Sequence, residues 1–250
     1  MTGGFSYGGT LATALGLTLL RGPLPGMPSL RERLSAIEGK HGLYDFGTEY
    51  GAKELSLRCS LQGTSSADLW ARAGTLAQTF DPRGTYADLI FDHETDRYQL
   101  ARLANAPQLD PISRTEAFVN LDFRCKDAFA YAVTQSSASH IITASPQGAT
   151  PSVGGNAPAV PLFEMVCGSA VSGGTVGIAT ADQSLSWAGT LALGDVLSIQ
   201  ASDWTCRRNG TVIMDNVSGE FPTLRGGTAN AISYSGFRGT VALTWRDRWL

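Results

Sequence analysis

The sequence predicts a mainly β protein with a single amphipathic helix, closed by an all-β sandwich module. Three observations carry that reading. The runs Lys53–Leu61, Thr115–Cys125 and Val241–Trp249 alternate apolar with polar residues, the period of two that gives a strand one buried face. Asn209-Gly210 separates two strand-like runs, and this dipeptide accepts positive φ at both central positions of a type I′ hairpin turn. Glycine is abundant, 29 of 250 residues, and charged residues are sparse at 16%. Many short strands joined by tight turns produce both biases.

Taken in order, residues 1–28 are Gly/Pro-rich and are expected to form an extended arm plus a strand at the apolar run Leu11–Leu20. Arg31–Glu38 alternates weakly, and Gly39–Gly51 reads as turn-rich. In Lys53–Leu61 the residues Leu55, Leu57, Cys59 and Leu61 are expected to face inward. The helix follows. Ser65 or Ser66 can cap it, Asp68 suits its positive end, and Leu69, Ala73, Leu76, Ala77 and Phe80 share one face with Trp70 beside them. Asp81-Pro82 ends it, because the residue before proline is driven out of the helical region. Thr85–Asp92 and Arg97–Ala104 flank a polar turn and read as a hairpin. From Thr134 to Pro161 the composition shifts to Ser, Ala, Gly, Thr and Pro, so 136–157 reads as a linker between domains at 1–135 and 158–250. The closing segment carries strand runs broken by Gly219-Glu220-Phe221-Pro222 and Gly226-Gly227.

Bulk properties exclude several classes. A net charge of −3 with no basic run longer than Arg207-Arg208 argues against a nucleic-acid-gripping surface. The four cysteines, Cys59, Cys125, Cys167 and Cys206, lie dozens of residues apart without ligand spacing and are expected to be reduced core residues. Leu11–Leu20 is too short to span a bilayer, and no Lys or Arg precedes it as a signal sequence requires. No membrane partner is expected.

Candidate sites are few. Gly4-Phe5-Ser6-Tyr7-Gly8 spells the nucleophile-elbow pattern, but that chemistry needs a strand before the serine and a helix after it. Asp92, Glu94 and Asp96 are spaced like the start of a calcium loop, yet Arg97 and Leu103 stand where Gly and Glu are required. A solvated turn is expected. His41, His93 and His140 fall in no metal or triad motif. No residue is assigned a catalytic, cofactor-binding or metal-binding role, no cofactor is implied, and an enzyme is not expected. Trp187, Trp204, Tyr234 and Arg207 could stack on and bind a sugar, whereas Trp245 and Trp249 alternate with charged residues and read as core.

Several of these segments also resemble a known family in their order along the chain. Gly39–Gly51, Leu89–Tyr98 and Phe123–Tyr131 are similar to motifs of the distal tail proteins of long-tailed bacteriophages. So are Asp195, Asn209-Gly210, Gly219, Phe221-Pro222, Leu224, Gly227, Asn230 and Ile232. Ala128 stands where that family often has proline. The resemblance implies an N-terminal split β-barrel or belt domain with one helix and a C-terminal galectin-like jelly-roll sandwich. It implies a structural baseplate-hub protein of the virion, assembled in the host cytoplasm: a homo-hexameric ring joining the tail tube protein to the tail-tip hub or tail-associated lysin. The C-terminal domain would carry receptor-binding proteins, and DNA would meet the ring only in passage. The galectin ligand set is not visible at matching positions. The alternative reading is a carbohydrate-binding adhesin module that recognises the host surface.

Overall fold

In the antiparallel pair Glu54–Gln62 with Glu116–Cys125, Leu55, Leu57, Cys59 and Leu61 stand opposite Phe123, Leu121, Val119 and Ala117, and all eight are buried. Ser56 and Arg58 stand opposite Asp122 and Asn120 on the other face. The alternation written in the sequence is thus the division between core and solvent. The computed structural model describes residues 4–22 and 27–250. The chain divides into two compact units, Met1–Ala130 with Leu250, and Tyr131–Trp249.

The first unit is one curled antiparallel sheet with a helix. Its strands run in the order Thr10–Leu11, Phe5–Tyr7, Ala87–Phe91, Arg97–Leu103, Glu116–Cys125, Glu54–Gln62 and Leu17–Arg21, with Leu109–Pro111 also paired to Glu116–Cys125. The expected arm is a correction. Phe5 and Tyr7 lie inside the sheet, where their rings meet Phe80, Phe91 and Phe123 at centroid separations of 5.2–6.4 Å. Two aromatics one residue apart bury too much apolar area to be left in an arm. The parts of that arm at 1–3 and 23–26 lie outside the described residues. The apolar run Leu11–Leu20 is not one strand either: a 3-10 turn, Ala12–Leu15, ends at Gly16 (φ 77°) before the strand Leu17–Arg21 begins.

The helix spans Ser66–Thr79. The Ser65 hydroxyl accepts from the Asp68 N–H at 3.1 Å, and the Asp68 carboxylate takes the Thr64 N–H at 2.7 Å and Arg72 Nε at 2.9 Å. Leu69, Leu76 and Phe80 are buried. Trp70 and Ala77 are exposed, a second correction: at 100° per residue each falls just off the buried stripe. Leu30–Ser35, which alternates weakly, and Tyr44–Tyr50, within the stretch expected to be turn-rich, form a separate two-stranded ribbon. Its residues alternate poorly because neither face is buried, which removes the signal that periodicity detects.

The second unit is a two-sheet sandwich. One sheet has the order Ser136–Ile142, Gly239–Trp245, Leu162–Cys167, Val196–Gln200, Thr205–Arg208, Thr211–Val212. The other runs Gln147–Ala149, Ile232–Ser235, Val171–Ala179, Ser184–Leu191, Val217–Gly219. Phe163, Met165, Leu197, Ile199, Val241 and Leu243 from the first share a core with Val176, Ile178, Leu185, Trp187, Ile232 and Tyr234 from the second. The stretch 136–157 is not a free linker. Ser136–Ile142 and Gln147–Ala149 are edge strands of the two sheets, Ser152–Val153 pairs with Thr228–Ala229, and Ile142, Val153 and Ala157 are buried. Edge strands need backbone hydrogen bonds and only a few apolar anchors, so composition alone disguises them as linker. The final run is strand Gly239–Trp245, interrupted before Arg248–Trp249; Trp245 is buried and Trp249 half-buried.

Asn209 and Gly210 adopt φ 49° and 83°, as the type I′ turn requires. The turn is clasped from outside. Asp195 accepts from Asn209 Nδ2 at 2.8 Å, the Ala192 N–H at 2.9 Å and Arg208 Nε at 2.9 Å, while the Asn209 Oδ1 accepts the Val196 N–H at 2.8 Å. These donors, the Asn209 amide first, hold the Asp195 carboxyl below the usual carboxylate range. Gly210→Val puts a β-branched residue into this left-handed position in otherwise open space, at an expected cost of roughly 1–3 kcal/mol. Urea denaturation should show a lower midpoint with an unchanged slope.

Candidate functional site

The residues that chemistry would recruit are dispersed. Ser6 lies mid-strand in Phe5–Tyr7 rather than on a strand-to-helix elbow. The Asp92 Oδ2 accepts the Gly4 N–H at 2.7 Å, while Glu94 and Asp96 both pair with Arg97, so this turn is occupied by local contacts. Among the described residues no group of three or more His, Cys, Asp or Glu could hold a metal ion, and no helix is long and apolar enough to cross a membrane. All four cysteines are free and buried.

The family-like motif of the second unit consists of structural clasps. The Asn230 Oδ1 accepts the Arg225 N–H at 2.7 Å, and its Nδ2 donates to the carbonyls of Arg225 and Thr228 at 3.0 and 3.1 Å. Every polar atom of this buried amide is therefore used in holding one loop. Of the four candidate sugar contacts, Trp187 and Tyr234 are core residues, and burial pushes the Tyr234 hydroxyl up in pKa. Trp204 is 72% exposed, and Arg207 is half-buried close by in sequence. Trp187 alternates with Leu185 and Leu191 on the buried face of its strand, whereas Trp204 follows Asp203 in a turn.

The surface feature missed by periodicity is the ribbon Leu30–Ser35/Tyr44–Tyr50. Every residue of both strands is exposed. Leu30, Leu34, Ile37, Leu43, Tyr44, Phe46 and Tyr50 all present apolar surface, Phe46 at 69%. Arg31 and Arg33 both bond Glu49, the second at 2.6 Å, and these guanidiniums, Arg31 first, hold the Glu49 carboxyl low. Lys40 sits 3.4 Å above the Tyr44 ring. A lone two-stranded ribbon is marginal in water, and exposed apolar surface on this scale marks an interaction site. The signal available beforehand was the run Leu43-Tyr44-Asp45-Phe46, too aromatic for an ordinary turn.

With this architecture in place, comparison with known proteins shows what the chain is similar to. Residues 13–125 match the phage tail protein RIFT-related domain family. The match covers most of the first unit. Over its whole length the chain shares the fold of the Dit protein (gp 19.1) of phage SPP1, from a hub adsorption apparatus in phages that infect Gram-positive hosts. The TM-score is 0.79 at 15% identity, with 100% of each chain covered. A chain of the phage P2 baseplate in its activated conformation with Ca aligns over 99% of this chain and 98% of its own, at 8% identity and a TM-score of 0.48. None of the curated proteins matches the sequence. The resemblance to distal tail proteins therefore rests on the family-model match over residues 13–125 and on fold throughout.

Burial pushes the thiols of Cys59, Cys125 and Cys206 up, to about 12, about 11 and about 11. An unfolded thiol ionises near pH 8.5. These groups therefore contribute full stability below about pH 8.5 and lose it as pH rises through their folded values. Ellman titration of native protein at pH 8 should be slow and of denatured protein complete at four thiols. The urea midpoint should fall between pH 8 and pH 10.

Proposed function

We propose that this chain is the ring-forming subunit of a phage tail tip, a homo-hexamer joining the tail tube to the tail-tip hub. The observation that carries this reading is the solvent-exposed apolar ribbon Leu30–Ser35/Tyr44–Tyr50, which no core of its own unit covers. A closed ring needs a heterologous interface, in which one patch docks on a different patch of the next copy. The ribbon supplies the first patch. The edge strands Thr10–Leu11 and Leu17–Arg21, with exposed Leu11 and Leu20, supply unpaired backbone and apolar surface for the second. Under this reading residues 1–135 close the ring, and 158–250 add mass outside it and carry receptor-binding proteins. DNA passes through the channel, and the subunit takes no part in bond-making chemistry. The virion is its final location, after assembly in the host cytoplasm.

The assignment is tested on the full chain by mass photometry, alone and with tail tube protein. Wild type should populate six-copy particles in one of the two conditions. The double variant Leu34→Asp/Phe46→Asp should stay monomeric at an unchanged melting temperature, because neither side chain packs in a core. Hexamers that persist in the double variant, or a wild-type chain that is monomeric in both conditions, would overturn the assignment.

A further inference from the structure

We propose that the solvent face of the six-stranded sheet in the second unit, with Trp204 at its end, binds a neutral hexose unit of a carbohydrate. This inference is independent of the ring.

The first observation is strain without packing. Trp204 adopts φ 54° in the turn between Val196–Gln200 and Thr205–Arg208. A bulky side chain in this left-handed region is a conformational outlier, and such strain concentrates where a structure uses the residue. Yet the indole is 72% exposed, so it contributes little to a core. The turn around it is fixed. The Ala201 N–H donates to the Pro161 carbonyl at 3.1 Å, Gln200 Nε2 to Ser202 Oγ at 3.0 Å, and Thr205 Oγ1 to Asp203 Oδ1 at 2.7 Å. Arg207 pairs with Asp203 at 3.5 Å. Glycine or asparagine would suit the backbone better, and the tryptophan here presents its ring to solvent.

The second observation is the face beside the turn. Register places Glu164 opposite Ser198 and Ser198 opposite Arg207; in the next row Leu162, Gln200 and Thr205 are aligned. Their neighbours Phe163, Met165, Leu197, Ile199 and Cys206 face the core, so this set faces solvent. Two strand spacings separate Glu164 from Arg207, roughly 10 Å, and the short Ser198 side chain leaves a shallow floor between them. A carboxylate and a guanidinium flanking such a floor match hydroxyl groups, which both donate and accept. Hydrogen bonds to charged partners are the strong ones. Trp204 offers an aromatic face for the C–H side of a sugar ring.

Charge selects among ligands. Glu164 and Asp203 outnumber Arg207, so a polyphosphate is disfavoured and a neutral sugar fits. Hot spots for protein partners sit in a desolvated apolar setting. The chain neighbours of Trp204 are instead the polar Ser202, Asp203 and Thr205.

The test uses the full chain and four neutral probes: linear trisaccharides of glucose, galactose, mannose and rhamnose, titrated to about 10 mM. Binding is read by saturation-transfer NMR and by tryptophan fluorescence, with inorganic polyphosphate as the charged control. At least one trisaccharide should bind saturably. Trp204→Asn should weaken binding at least about tenfold while leaving the melting temperature equal or higher, since asparagine relieves the left-handed strain. Glu164→Gln and Arg207→Gln should each weaken it several-fold. Mass photometry of the Trp204→Asn protein should match wild type, which keeps this result separate from the ring. The proposal is overturned if no trisaccharide binds, if polyphosphate binds instead, or if binding survives Trp204→Asn. A melting temperature lowered by Trp204→Asn also overturns it, because the indole would then be a packing residue.

Discussion

Alternate side chains leave opposite faces of a β-strand, and this one constraint settles most of what the protein is. A slip of one residue in register exchanges core for solvent along an entire strand. In the second unit such a slip in Val196–Gln200 would expose Leu197 and Ile199 and bury Ser198 and Gln200. The clasp of Asp195 on Asn209, Arg208 and the Ala192 N–H sits where that register is set. Hydrogen bonding thus guards at one turn what hydrophobic burial rewards along the whole strand.

The ribbon Leu30–Ser35/Tyr44–Tyr50 escapes this constraint, and its composition shows the consequence. With no core beneath either face, its order rests on backbone pairing, the two arginines on Glu49 and the Lys40–Tyr44 contact. Exposed ion pairs contribute about 0–1 kcal/mol each, too little to justify so much apolar surface in water. A partner that covers this surface converts a liability into binding energy, offset by the lost freedom of association. Under the proposed assembly, stability and association are served by separate parts of the chain.

Glycine and asparagine perform a second layer of work. Asn230 satisfies one loop from within, and Gly219 (φ 99°) lies where a Cβ would run into the Ser184 carbonyl oxygen. Such positions explain why turn residues of the second unit carry the family-like pattern. They are geometric necessities of tightly connected strands.

The sequence by itself determined the fold class, the helix with a serine cap at 65 or 66 and its Pro82 stop, the long strands and the Asn209-Gly210 turn. Each of these is encoded locally, by a period, a cap or a backbone preference. It also placed the buried cysteines, because an apolar strand face is legible wherever alternation is clean. Only the tertiary structure decided the rest. Phe5 and Tyr7 joined the sheet because an aromatic cluster assembled from residues dozens of positions away awaited them. Residues 136–157 became edge strands because partners at 228–245 offered free backbone groups. Trp70 and Ala77 sit beside the apolar stripe of the helix, yet both are solvent-exposed. Exposure is a property of what packs against a residue, and packing partners are chosen by three-dimensional proximity that no local window contains.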